Sequence, residues 1–211
     1  MNRGVIASLR DIVPIRPLRR TEAMSVAERQ ALRFLDLVGV HEPPVPERAI
    51  GELPRIEVRR ATPFPVSGAA DWSSGRWLIV LNGGEPIGRQ RFSLAHEFKH
   101  VVDHRIVDII YGGIPQDERA AWIEQICDYF ASCILMPRPW VKRVYGSGTQ
   151  RLLPLAGRFA VSQTAMRVRL NQLGLVDPGP RCVRPSTKTA LRTDSEPGSS
   201  LYARSLTPAV R

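Results

Sequence analysis

The chain has 211 residues, 43% of them hydrophobic and 24% charged, and 30 Lys and Arg against 20 Asp and Glu give a formal net charge of +10. These proportions are those of a globular protein, with room for one medium domain and an appendage or for two small ones. No apolar run reaches spanning length, the N-terminus lacks an apolar stretch followed by a small-residue cleavage site, and three cysteines without framework spacing suit reduced thiols, so the expected setting is the cytoplasm, with no membrane partner.

The charge is unevenly spread. Residues 1–21 carry five arginines against Asp11, broken by Pro14 and Pro17, and read as a flexible basic arm. Ser25 and Glu28 have the spacing of a capping box ahead of Ala31, Leu32, Leu35 and Val38, an amphipathic helix. Pro43, Pro44 and Pro46 break it, and a short helix follows as far as Glu52. Ile56-Glu57-Val58 alternates like a strand, and Trp77 to Leu81 is a stronger one. Ser73-Ser74-Gly75 is turn chemistry, so residues 69–81 are expected to form a hairpin. Trp77–Leu81 is expected at the sheet edge, beside the active cleft.

The stretch from Arg91 to His104 follows shortly after and contains His96-Glu97-x-x-His100. Phe92, Ala95, Phe98, Val101 and Val102 have the spacing of a buried helix. Four residues turn roughly 400°, so the two imidazoles share a face, about one turn apart. That is the bite a tetrahedral zinc ion takes from two nitrogen ligands. Glu97 projects roughly 100° further round, where it misses the ion but reaches a water beside it, the position of a general base.

A catalytic zinc site takes three protein ligands and leaves the fourth position open. His104 continues the same helix, but by then the helix has risen roughly 6 Å past His100. A second long helix is expected from about Glu118 to Met136, ended by Pro137, with Glu124, Cys127 and Asp128 on one face. Glu124, 24 residues after His100 and beyond the Gly112-Gly113 loop, is the better third ligand. Asp128, one turn on, is placed to accept a hydrogen bond from a ligand imidazole and fix its tautomer.

Phe92-Ser93-Leu94-Ala95-His96-Glu97-x-x-His100, followed by Glu124-x-x-Cys127-Asp128-x-Phe130-Ala131-x-x-Ile134-Leu135-Met136-Pro137, resembles the ImmA/IrrE family of bacterial metallopeptidases, over about residues 27–176. The resemblance implies an α+β, zincin-like peptidase domain: a small twisted sheet, the His96 helix and a second ligand-bearing helix. It implies a gluzincin-like site with His96, His100 and Glu124 on Zn2+ (Mn2+ or another divalent ion as the alternative) and Glu97 as the acid/base. It further implies a protein substrate, a helix-turn-helix repressor or an immunity-type protein encoded nearby, whose cleavage releases gene expression. Two residues depart from the family pattern: Cys127 stands where alanine is expected, and Lys99 where glycine is frequent. His104 and Tyr111 are the candidate contacts to the carbonyl oxygen or substrate.

Leu155 to Leu173 has the cadence of a helix-turn-helix, with a turn at Ala160-Val161 and Ser162 capping the second helix. Read as a DNA-binding module, it would present Gln163, Arg167 and Arg169 to bases or phosphates. Read structurally, it is a helical pair packed on the peptidase and gripping the substrate, which is the preferred reading. The alternative for the whole chain is a DNA-binding regulator with a sensory or vestigial metal site. The organisation expected is a basic arm (1–21), a peptidase domain (22–145), a helix-turn-helix-like module (146–177) and a disordered basic tail (178–211).

Overall fold

A computed structural model describes residues 4–175. The expected tail from 178 onward lies outside them.

The reading of residues 1–21 as a flexible arm needs correcting. Val5–Arg10 form helix α1, and Leu9, Val13 and Leu18 are buried. The sequence period is broken because Pro14 and Pro17 turn the chain between these anchors, not because the segment lacks a partner. The Arg10 guanidinium donates to the carbonyls of Val102 (2.7 Å) and Val101 (2.9 Å), clamping α1 to a later helix.

Helix α2 runs Arg20–Leu37, so it begins ahead of the expected cap. Ser25 lies inside it, its hydroxyl donating back to the Thr21 carbonyl at 2.9 Å. After the proline-rich link comes the single turn α3 (Arg48–Gly51).

Strands β1 (Ile56–Ala61), β2 (Gly68–Ser73) and β3 (Arg76–Asn82) form a mixed sheet in the order β1-β3-β2. β2 and β3 are the expected hairpin, and Ser74 (φ 52°) and Gly75 (φ 77°) supply the two positive φ angles that a two-residue turn needs. β3 is not an edge. Ile79 stands opposite Val58 of parallel β1 on one side and Ala70 of antiparallel β2 on the other. The nearly continuous apolar run of Trp77–Leu81 is that of a central strand, with Trp77, Ile79 and Leu81 buried. The edges are β1 and β2, and β2 is the one whose residues line the cleft described below.

Helix α4 (Ile87–Asp103) follows, then the turn α5 (Val107–Ile110) and α6 (Gln116–Leu135). Pro86 and Pro115 sit at the N-caps of α4 and α6, where a missing N–H costs nothing. The core is built where α2, α4 and α6 meet: Phe34 packs on Phe98 (ring centroids 5.1 Å apart) and Phe98 on Phe130 (6.2 Å). Burying three phenylalanine side chains contributes on the order of 1.5–3 kcal/mol each and fixes the two site-bearing helices, α4 and α6, against one support.

Helices α7 (Arg138–Gly146), α8 (Leu152–Phe159) and α9 (Gln163–Gln172) complete the described chain. Ala160 takes a left-handed conformation after α8, and the Ser162 hydroxyl accepts from the Ala165 N–H at 3.1 Å, capping α9. The start of α4 passes close to this turn: a Cβ on Gly88 would stand 3.3 Å from the Ser162 backbone nitrogen.

Candidate metal centre

Helix α4 is uninterrupted after Gly88, so its two faces divide cleanly. Leu94, Ala95, Phe98, Val101 and Val102 go to the core, while His96, Glu97 and His100 line a cleft. Glu124, Cys127 and Asp128 reach the same cleft from α6.

Three donor groups converge there. His96 Nε2 and His100 Nε2 are 3.2 Å apart, and the Glu124 carboxylate lies 3.2 Å from the first and 3.3 Å from the second. Ligands about 2.0–2.1 Å from a tetrahedral zinc ion stand about 3.3–3.4 Å from one another. The two imidazole nitrogens already stand at that spacing, and each has one Glu124 oxygen at it, Oε2 for His96 and Oε1 for His100. Two imidazoles and a carboxylate are also the donor types a divalent ion of borderline softness takes. The residues present fit such an ion.

The second layer matches as well. Asp128 Oδ1 is 2.9 Å from His96 Nδ1, so the imidazole donates there and leaves Nε2 free to face Glu124 and His100. Burial works against a charge on His96, but the Asp128 hydrogen bond and the carboxylates of Asp128, Glu124 and Glu97 outweigh it and raise the pKa. Burial lowers that of His100, reinforced by the charge on His96. Burial raises Glu97, with His96 pulling the other way and Glu124 adding to the rise. A partly buried carboxyl shifted upward is suited to taking and returning a proton.

The cleft opens on both sides of Glu97, as cavities of about 460 and 390 Å3 that share Gly68, His96, Glu97 and Glu124. Gly68 begins β2 and was not legible as a site residue. A Cβ there would stand 3.1 Å from Glu97 Cγ and 3.2 Å from its Oε1, so any side chain at this position would require the acid to shift by a few tenths of an ångström. Only the three-dimensional approach reveals this.

Cys127 also faces the cleft. Its Sγ and one nitrogen each of His96 and His100 lie within 4.8 Å of one another. Burial pushes the thiol pKa well up, with the neighbouring carboxylates adding to it and Lys99 opposing. Glu124 is in closer range of both imidazoles, at 3.2 and 3.3 Å.

Tyr111 is not a site residue. It is buried and absent from the cleft lining, and its hydroxyl is committed to Asp103 Oδ2 at 2.7 Å. The same carboxylate accepts from Lys99 Nζ at 2.7 Å, which also donates to Gln30 at 2.8 Å, so Lys99 sits in the interior fully engaged. His104 caps α4 at the cleft's rim, its ring edge-on to Trp77 at 4.8 Å. Gln163 and Arg167 are exposed on α9. Arg169 is 0% exposed, donating from Nε to the Met136 carbonyl at 2.9 Å, which corrects its assignment as a nucleic-acid contact.

The small mixed sheet with helices α4 and α6 fits a zincin-like peptidase domain. A family profile for the IrrE N-terminal-like domain, peptidase family M78, matches residues 54–171, and the chain belongs to that family. It is similar to the radiation response metalloprotease IrrE of Deinococcus radiodurans, 30% identical over 101 residues that cover 45% of this chain and 31% of that protein. A solved Mycobacterium tuberculosis transcriptional regulator shares the fold with a TM-score of 0.57 at 17% identity, over 80% of this chain and 52% of its own. The chain thus spans about a third of the curated relative and about half of the solved one. Among the described residues no helix is long and apolar enough to cross a membrane.

Proposed function

We propose that the chain is a zinc-dependent endopeptidase that works in the cytoplasm and cuts a regulatory protein, a helix-turn-helix repressor or an immunity-type protein, to release gene expression. The observation that carries this reading is the convergence of His96 Nε2, His100 Nε2 and the two Glu124 carboxylate oxygens at 3.2–3.3 Å, with Glu97 beside them. These three residues hold the ion, Zn2+ first and Mn2+ or another divalent ion as alternatives, and Asp128 orients His96. When bound, such an ion supplies Lewis acidity, polarising a peptide carbonyl and making water acidic near neutral pH. Glu97 accepts a proton from the attacking water and returns it to the nitrogen of the departing chain. His104, at the rim, is the remaining candidate donor to the carbonyl oxygen.

The substrate lies extended along the free edge of β2, whose Gly68 and Ala70 line the cleft with His96 and Glu97. Unpaired N–H and C=O groups of an edge strand give main-chain affinity, and the cavities on either side give selectivity. Such a segment must be a linker or a locally opened helix. The test is co-incubation of the full chain and Zn2+ with the repressor encoded beside it, followed by mass spectrometry of the fragments. One defined cut, lost on removing the metal and in Glu97→Gln, is expected; an intact repressor ends this choice of substrate.

The alternative, a DNA-binding regulator, keeps Gln163 and Arg167, which α9 exposes, but loses Arg169 to the core. A specific shift of a promoter fragment that survives His96→Ala would favour it.

A further inference from the structure

A further cavity, of about 250 Å3, adjoins the metal cleft and has no part in the chemistry above. Trp77 and His104 line both, so the depression runs on from the site. Its remaining walls include Arg10 from α1, Arg55 from the turn before β1, Trp72 from β2, and Arg105 just past α4. Gly68 and Ala70 in the cleft and Trp72 in the cavity are at alternate positions of β2, so they lie on one face of the edge strand.

Three guanidiniums line this cavity and no carboxylate does. Arg10 is engaged with the Val101 and Val102 carbonyls, but its charge stays in the wall. Burial lowers its pKa, the Arg105 charge lowers it further, and only Asp103 opposes. That carboxylate already accepts from Lys99 and Tyr111. Among the described residues Arg55 and Arg105 have no side-chain hydrogen bond or ion pair. Arg55 is held at a left-handed φ of 64°, uncommon outside glycine, by its carbonyl accepting the Trp77 N–H at 2.7 Å. Trp72 is 43% exposed beside these cations, its ring edge-on to Trp77 at 5.4 Å. Uncompensated like charge around an open aromatic ring is the chemistry of an anion site with an apolar floor.

We propose that this cavity recognises an acidic residue of the polypeptide substrate, its carboxylate between Arg55 and Arg105 and its stem against Trp72. The polypeptide nature of the occupant rests on the peptidase reading above; the preference for negative charge does not. From Gly68, beside Glu97, to Trp72 is four strand residues, about 14 Å at roughly 3.4 Å each. A peptide paired antiparallel to β2 runs from Trp72 towards Gly68, so the acidic residue precedes the cleaved bond by about four positions. A guanidinium takes a carboxylate through two parallel hydrogen bonds, which a glutamine in the same place does not reproduce.

The experiment is a binding titration of the full-length, metal-free chain at low ionic strength. The probe is an acetylated, amidated peptide of alternating alanine and glutamate, followed by calorimetry and tryptophan fluorescence. Saturable binding is expected, at least tenfold weaker for the glutamine analogue and at least tenfold weaker in Arg55→Ala and in Arg105→Ala. Trp72→Leu should remove the fluorescence change. Absence of saturable binding overturns the proposal, and so does equal affinity for the glutamine peptide or indifference to both arginine substitutions. Tighter binding of oligodeoxythymidylate through the same arginines overturns it in favour of nucleic acid. Because the readout needs neither metal nor cleavage, failure here leaves the peptidase reading standing, and loss of Zn2+ binding or repressor cleavage leaves this titration unaffected.

Discussion

Arg169 separates the two roles open to the C-terminal helices, and Arg169→Ala is the sharpest perturbation of them. The side chain is fully buried, with Nε on the Met136 carbonyl at 2.9 Å, Nη1 on Gln172 at 3.2 Å, and the guanidinium carbon 5.5 Å from the centre of the Tyr129 ring. Its second terminal nitrogen lies 3.8 Å from Glu28 Oε1 and has no hydrogen bond. Truncation leaves the Met136 carbonyl unpaired, Glu28 without its cation and a void in the core. Removing one partner from a buried pair costs about 3–5 kcal/mol. At about 2–4 °C per kcal/mol for a domain of this size, the melting temperature should fall by roughly 6–20 °C. Arg167→Ala, exposed on the same helix, should stay within about 0.5 kcal/mol of the parent. Thermal unfolding followed by circular dichroism decides it. If Arg169→Ala melts with the parent while losing affinity for a promoter fragment, the structural role assigned to Arg169 is wrong.

The purified chain should carry about one divalent ion, by elemental analysis, and lose it in His96→Ala, His100→Ala and Glu124→Ala. Full retention in Glu124→Ala would transfer the third position to Cys127. Glu97→Gln should keep the ion and the fold but slow cleavage by about 10²–10⁴. In the metal-free chain, histidine NMR titration should find His96 protonating at higher pH than His100, and Asp128→Asn should bring His96 down. The sign for stability follows. The Asp128 pairing of a raised imidazole contributes fully below the unfolded value near 6.5 and fades as pH climbs through the folded one; a His96 titrating below His100 would contradict the pairing. Gly68→Val should leave the ion bound but push Glu97 aside, and a displacement of about 1 Å costs on the order of 10² in rate, so undiminished cleavage would refute the close approach.

The metal helix was legible because its information is local. Two histidines four residues apart share a face whatever the rest of the fold, and a glutamate 24 residues on, beyond a glycine loop, has the reach to return. The hairpin was legible for the same reason, since Ser74-Gly75 carries its own turn geometry. What could not be read was anything decided by distant neighbours. The strand at Trp77–Leu81 looks alike as an edge or a centre until β1 is found parallel beside it. Tyr111 has the right chemistry for an oxyanion donor, and only Asp103, eight residues back, commits it elsewhere. Arg169 belongs to a periodic, basic helix, and nothing in that period distinguishes the arginine pointing at Met136 from its solvated neighbour Arg167.

The first twenty residues carry the deepest consequence of that limit. A boundary drawn at residue 22 treats α1 as an appendage, yet α1 holds the metal helix at two depths. At the end of α4, Arg10 satisfies the Val101 and Val102 carbonyls, two of the acceptors that a helix C-terminus leaves open. One turn earlier, Gln30 joins the Leu9 carbonyl (3.0 Å) to Lys99 Nζ (2.8 Å), and Lys99 is adjacent in sequence to His100. Lys99 is buried with its charge balanced by Asp103 at 2.7 Å, so each of these groups is stable only while the others are present. A glycine at position 99 would remove the charge and, with it, the need for Gln30 and Asp103 to turn inward. Lysine there makes the alignment of His100 depend on helices α1 and α2 as well as on the α4–α6 contact. The packed unit therefore reaches back to α1, and the face that carries His96 and His100 is positioned from behind by residues that no motif includes.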